Sequence, residues 1–188
     1  LRWKEGQVEL FGRSQGLPVA RFRSVRVDRD GTVWIGTNGA GLVSMRNGEV
    51  TVRSTKNGFP SDEIVSILPD PSGGIWASTA GAGLVRISGS TQRVYGRPDG
   101  LPTDQLTALA FDPAGALWVG TWGHGVCRFV PGAVSCLGAG PLSNDKVWSL
   151  LPDEEGFVWV GTWVGGLNRL RDRAFLTWGK PEGLSNEN

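Results

Sequence analysis

One short phrase, Gly115-Ala116-Leu117-Trp118-Val119-Gly120-Thr121, stands four times in this chain. Its other copies are Gly31-Thr32-Val33-Trp34-Ile35-Gly36-Thr37, Gly74-Ile75-Trp76-Ala77-Ser78-Thr79 and Gly156-Phe157-Val158-Trp159-Val160-Gly161-Thr162. Their tryptophans are 42, 42 and 41 residues apart. A fixed period of that size means a repeat architecture, and it restricts the fold more than any local motif does. Each copy leaves a turn, runs apolar through the Trp and ends on a small residue and Thr. Such a run is too short for a helix and has the β-branched and aromatic content of a buried strand.

Extending the alignment outward divides the chain. Residues 16–57, 58–99, 100–140 and 141–182 are four full units, and 1–15 match the second half of one, with Trp3-Lys4-Glu5-Gly6 falling on Met45-Arg46-Asn47-Gly48. Residues 183–188 open another unit, since Leu184-Ser185-Asn186-Glu187 follows Leu142-Ser143-Asn144-Asp145. Both ends are therefore expected to cut through a larger array. Each unit reads as four strands. The first (22–27, 64–68, 106–111, 147–151) follows Gly-Leu-Pro or a relative, which favours extended backbone. A turn with Asp at its start and Gly near its end follows; the carboxylate is suited to accept turn amides, and Gly supplies positive φ. The Trp strand comes next, then a Gly-rich loop, a third strand, a tight turn such as Asn47-Gly48 or Pro131-Gly132, and a fourth. Four antiparallel strands per ~40–45 residues make one blade of a β-propeller. The fold expected is all-β, with four full blades, a half-blade and essentially no helix. The blades would form an open arc unless two copies close on one another, its exposed edges favouring a homodimer.

Charge excludes some functions. Nineteen basic against 18 acidic residues leave a net +1, which gives no electrostatic case for nucleic acid or an anionic membrane. No apolar run is long enough to span a bilayer, and no signal peptide opens the chain. The 29 Gly and 11 Pro fall at repeating positions, so they are turn chemistry rather than disorder.

The pattern Asp-x-x-Gly-x-[apolar]-Trp-[Val/Ile]-Gly-Thr-x-x-x-Gly-Leu-x-Arg resembles the two-component regulator propeller repeat, most clearly at 156–169, which ends Gly165-Gly166-Leu167-Asn168-Arg169. The departures are Ala77-Ser78, Val126 for Leu and Ser44 for Arg. The resemblance covers the whole chain. It implies a sensor propeller on the periplasmic or extracellular side of a bacterial inner membrane, coupled to further blades and a downstream signalling module. It also implies an oligosaccharide or other small solute as ligand, no cofactor and no catalysis. Streptogramin lyases are similar in period and in their Asp-Gly-x-x-Trp turns, which would make a lyase-like enzyme the alternative; a protein-interaction scaffold is a third reading.

Positions alike in every unit are scaffold, so the places that vary at one rim are the candidates for specificity. The loops after the Trp strand differ at Asn38, Ala80, Trp122 and Trp163, and again at Ala40, Ala82, His124 and Gly165. The beginnings of the first strands differ at Arg23, Val65, Thr107 and Trp148. The candidate ligand-binding residues are therefore Trp122, His124, Trp148, Trp163, Arg23 and Asn38. Aromatic faces stack on sugars or flat solutes; the other reading is that Trp122 and Trp163 cover the next blade, since Trp after Gly-Thr is common in the repeat that the chain resembles. His124 is the only histidine, so no zinc site and no nucleophile-base set is expected. The acidic turns at 28–31 and 153–156 lack the ligand spacing of a calcium loop.

The two cysteines have a register. If Pro131-Gly132 is a two-residue turn, counting outward pairs Cys127 with Cys136 at a non-hydrogen-bonded site, close enough for a disulfide. Val43 with Val52 and Val85 with Val94 hold the same places in other blades, so two buried thiols acting as small hydrophobes is the other reading.

Overall fold

The computed structural model describes residues 2–4, 6–138, 140–171 and 174–178; for 2–4, 7 and 174–178 the backbone alone is described. The unit expected to open at 183–188 lies outside the described residues. The chain begins with a hairpin, β1 (Arg2–Lys4) and β2 (Gln7–Glu9), in which Trp3 stands opposite Val8. Four sheets follow. Blade 1 is β3 (Arg21–Val27), β4 (Val33–Asn38), β5 (Leu42–Arg46) and β6 (Glu49–Arg53), and blade 2 is β7 (Ile64–Pro69), β8 (Ile75–Thr79), β9 (Leu84–Ser88) and β10 (Thr91–Tyr95). Blade 3 is β11 (Leu106–Phe111), β12 (Leu117–Thr121), β13 (Val126–Val130) and β14 (Ala133–Leu137), and blade 4 is β15 (Val147–Pro152), β16 (Val158–Thr162), β17 (Leu167–Arg171) and β18 (Ala174–Trp178). Every sheet is antiparallel with its strands in sequence order, and successive first strands β3, β7, β11 and β15 touch one another. Among the described residues helix is confined to single 3₁₀ turns at Arg13–Gln15, Thr55–Asn57 and Arg97–Asp99.

The repeated apolar positions build the seams between blades. Trp34 and Leu42 of blade 1 pack on Phe59, Ile64 and Ile67 of blade 2, while Ala77 and Val85 of blade 2 face back into the same cluster. Trp76, Leu84 and Tyr95 meet Leu106, Leu109, Val119, Cys127 and Phe129 in the next seam, and Trp118 and Val126 meet Val147, Val160 and Leu170 in the last. Burying one Trp removes about 150–250 Å² from water, roughly 4–6 kcal/mol as an upper bound. Phe22 and Val25 stand where buried Ile64 and Ile67 stand one blade later, yet they are exposed.

Each residue of the repeated phrase has a local reason. The Asp that opens the turn accepts its amides, as Asp28 does from Asp30 and Thr32 at 3.2 and 3.0 Å. Its second oxygen accepts the indole N–H of the Trp six residues on. That bond recurs in all four blades, at 2.7 Å for Trp34 and 2.9 Å for Trp76, Trp118 and Trp159. A buried indole donor is thus satisfied by the turn that starts its own strand. The Gly after the Trp leaves room for the following blade. A Cβ at Gly36 would lie 2.9 Å from Ile64 Cγ2, and one at Gly120 would lie 2.7 Å from Val147 Cγ1. In blade 2 that position is Ser78, fully buried, whose hydroxyl instead accepts the Ser66 amide at 3.0 Å.

The departure at Ser44 is compensated from another strand. In blades 2 and 4 an arginine of the third strand lies over the Trp, with Arg86 5.4 Å from the Trp76 centroid and Arg169 5.1 Å from that of Trp159. In blade 1 the guanidinium of Arg53, from β6, takes that place 5.4 Å from Trp34 and donates to Ser44 Oγ at 3.1 Å.

The hairpin of β13 and β14 closes through Pro131-Gly132 with Val130 opposite Ala133, so Pro keeps its negative φ and Gly132 takes +87°. Cys127 stands opposite Cys136, and a disulfide joins them with Cα atoms 4.0 Å apart. Asn47 and Gly48 instead both have positive φ, 50° and 85°, the turn that two-residue hairpins favour.

Candidate functional site

The site begins with one irregularity repeated in every blade. Between the first and second strands the pairing steps from Phe22–Thr37 to Ser24–Gly36, which leaves Arg23 without an opposite residue. The same step leaves Val65, Thr107 and Trp148 unpaired in blades 2, 3 and 4. These are β-bulges, which re-aim a side chain and bend the strand. Because the first strand is the inner edge of each sheet, the bulged residues of successive blades converge. Arg23, Val65, Thr107 and Trp148 line one cleft of about 710 Å³, together with Ala80, Gln105, Leu106 and Trp122.

The loops after the Trp strands form the rim above it. In each, the Thr hydroxyl donates to a Gly carbonyl four residues on, at 2.7 Å for Thr37 and Thr121, 2.8 Å for Thr79 and 3.0 Å for Thr162. The loop then clasps the following blade, as when the amides of Gly123 and Gly125 both donate to the Asp145 carbonyl at 3.2 and 2.7 Å. A Cβ at Gly125, where φ is +74°, would lie on the Leu137 carbonyl, so this loop requires glycine. Trp122 is anchored by its amide on the Gln105 carbonyl at 3.1 Å and Trp163 by its amide on that of Lys146 at 2.8 Å.

This framework brings three indoles together. Trp148 and Trp163 have ring centroids 5.1 Å apart, and Trp122 stands 5.5 Å from Trp163 and 6.2 Å from Trp148 in edge-to-face contacts. The Lys146 ammonium lies 5.3 Å from the Trp122 centroid. Trp122 is half-buried against blade 4, while Trp148 and Trp163 are 60% and 53% exposed. Large aromatic faces left in water at the mouth of a concave wall form a surface ready to stack on a ring.

Of the sequence candidates, Arg23, Trp122 and Trp148 line the cleft and Trp163 adjoins it through the other two indoles. His124 and Asn38 are not among the lining residues. His124 is exposed, its amide donating to Thr121 Oγ1 at 3.1 Å, and Asn38 forms a bridge to Glu63 at the seam of blades 1 and 2. Gln105 was not picked out from the sequence, because nothing in the repeat marks the residue two before the bulge as lining. Among the described residues no group of three or more His, Cys, Asp or Glu gathers, and no helix is long and apolar enough to cross a membrane.

Comparison with known proteins agrees with this architecture. The family model described as two component regulator propeller matches residues 16–39, 58–81, 100–123 and 141–164. The extracellular domain of a protein described as a hybrid two component system of B. thetaiotaomicron superposes with a TM-score of 0.80 at 22% identity, over 95% of this chain and 27% of its own. That of a protein described as a one component system of the same organism gives 0.72 at 20%, over 84% and 25%. Virginiamycin B lyase of Staphylococcus aureus gives 0.70 at 12%, over 87% and 57%. At such identities the likeness is one of fold, and this chain spans about a quarter of the two extracellular domains. Among curated proteins none matches.

Proposed function

The chain belongs to the two-component regulator propeller family, and from that premise we propose that it is the ligand-sensing part of a bacterial receptor, displayed on the extracytoplasmic side of the membrane, whose blades bind a carbohydrate-like ring solute. The observation that carries this reading is the cluster of Trp122, Trp148 and Trp163 at the mouth of the bulge-lined cleft. Covering about 100 Å² of one half-exposed indole is worth roughly 2–3 kcal/mol, so two such faces suffice for a ligand of micromolar to millimolar affinity after the cost of association.

Binding without chemistry fits the lining. Arg23, Thr107 and Gln105 are its polar members, and it presents no carboxylate, imidazole or thiol to act as a base or nucleophile. The disulfide of Cys127 and Cys136 suits an oxidising compartment. A signal requires that the ligand prefer one of two receptor states, and the cluster joins loops of blades 3 and 4, so occupancy bears on the relation between blades.

Titration of the protein with a panel of plant and microbial oligosaccharides, followed by intrinsic tryptophan fluorescence and calorimetry, tests the reading. Trp148→Ala and Trp163→Ala are expected each to weaken binding by about tenfold or more. If the double variant stays folded and binds as the parent does, the site lies elsewhere.

A further inference from the structure

The lining of the cleft carries charge of one sign only. Arg23 is the one ionisable residue of the lining, and no Asp or Glu stands with it. Four other arginines are held by carboxylates: Arg46 by Asp30, Arg86 by Asp70, Arg97 by Asp104, and Arg169 by Asp153 and Glu155. Arg23 is exposed and has no hydrogen-bond or ion-pair partner among the described residues. Its place on a bulge frees it from the pairing of the sheet as well. Lys146, outside the lining itself, lies over Trp122 and likewise makes no ion pair among the described residues. Two unneutralised cations thus flank the aromatic wall in a chain whose net charge is only +1.

We propose that the ligand is an acidic saccharide, a uronic acid residue within an oligosaccharide, whose carboxylate is held by the guanidinium of Arg23 while a face of the ring stacks on Trp148 and Trp122. This rests on the ring-binding reading above and adds to it the charge of the ligand. The two halves of the recognition are compatible in shape. The carboxylate of a pyranuronic acid projects from the edge of the ring, so it leaves the C–H faces free for an indole. The guanidinium is a planar fork that matches a carboxylate with two parallel hydrogen bonds, and a long flexible stem lets it meet an edge of the sugar. The field of Lys146 adds to the attraction at range and falls with added salt.

The test uses matched pairs that differ only in charge: oligogalacturonates, oligomannuronates and oligoglucuronates against their methyl esters, with a sulfated neutral oligosaccharide as a further arm. Binding is read by calorimetry and tryptophan fluorescence on the full chain. At least one acid is expected to bind about tenfold or more tightly than its ester, the size of a charge-assisted hydrogen bond. Arg23→Gln is expected to erase that preference by bringing the acid's affinity down to that of the ester, and Arg23→Lys to keep part of it. Raising the salt to about 1 M, where the Debye length is about 3 Å, is expected to weaken the acid and spare the ester. Esters or neutral sugars that bind as well as the acids would overturn this proposal and leave the ring-binding reading standing. A preference for acid that survives in Arg23→Gln would overturn the role of Arg23. Binding of the sulfated sugar without any uronate would overturn the carboxylate. If no sugar of either kind binds, both readings fall together.

Discussion

Replacing Asp70 by Asn isolates what the turn carboxylate does for its blade. Asp70 is buried, and every group around it donates: the Ser72 amide and hydroxyl at 2.8 and 2.6 Å, the Trp76 indole at 2.9 Å and Arg86 Nε at 2.9 Å. An amide in its place keeps one acceptor oxygen and turns an NH₂ toward donors whichever way it flips. One hydrogen bond is lost outright, about 1 kcal/mol. The attraction to Arg86 is reduced from an ion pair to a dipole, and since the Arg86 side chain is 35% exposed and can rehydrate, that loss is discounted to about 1–2 kcal/mol. Asp70→Asn should therefore cost about 2–3 kcal/mol and lower Tm by roughly 5–10 °C. The natural control is Asp112 in blade 3, which accepts the Ala116 amide and Trp118 indole at 2.8 and 2.9 Å but has no arginine partner among the described residues, so Asp112→Asn should cost only about 1 kcal/mol. Urea unfolding followed by both fluorescence and circular dichroism gives the free energies where the two probes coincide. Arg86→Met should be costly in the parent and nearly neutral beside Asp70→Asn. Equal costs at Asp70 and Asp112, or no coupling to Arg86, would refute the account.

The same carboxylate sets a pH dependence. Burial alone pushes Asp70 up, but the Ser72 hydroxyl and amide, Arg86 and Trp76 together bring it below its ordinary value of 3.8. Asp62 is also lowered, chiefly by the Thr55 hydroxyl and amide. The folded state then binds fewer protons than the unfolded one in the acid range. Stability is fully present above the unfolded value near 3.8 and is lost as pH falls through the lower folded values. Acid titration of unfolding should show this fall, and a smaller one in Asp70→Asn.

Three further outcomes are expected. Gly125→Ala should destabilise by more than about 2 kcal/mol while Gly115→Ala costs about 1–2 kcal/mol, because φ is +74° and +83° but only the first would set its Cβ on backbone; thermal melts compare them. Replacing Cys127 and Cys136 together by Val should cost at most about 2–3 kcal/mol, the value of closing a loop of about ten residues, since Val43–Val52 and Val85–Val94 fill the same register; chemical unfolding measures it. His124→Ala should leave saccharide affinity unchanged by calorimetry, because the imidazole stands outside the cleft lining.

The repeat made the blades legible, and counting outward from Pro131-Gly132 was enough to set Cys127 opposite Cys136. The indole bond was equally open to reading, because Asp precedes Trp by six residues in every unit. The bulge was harder. A half-buried strand is expected to alternate, yet the large buried side chains run Ile64 to Ile67 and Leu106 to Leu109, and only that spacing of three betrays the extra residue. Aligning the loops gathered Trp122, Trp148 and Trp163, but an alignment fixes which loop a residue occupies and not where its side chain goes, and His124 and Asn38 entered the candidate set on those terms. The exchange of Ser44 for Arg53 was not legible at all, because the two lie on different strands and meet only through the pairing of the sheet.

A residue that no neighbour in the ladder needs is one that selection can spend on something else. At 23, 65, 107 and 148 the chain carries Arg, Val, Thr and Trp, four unlike chemistries on one backbone step. The tryptophans of the seams and the aspartates that hold them repeat in every blade beside them. Inheritance of the scaffold and divergence of the cleft lining are thereby assigned to different positions. Duplicating a blade supplies another socket already facing the common cleft, and a single substitution there changes what the cleft presents without renegotiating how the blade folds.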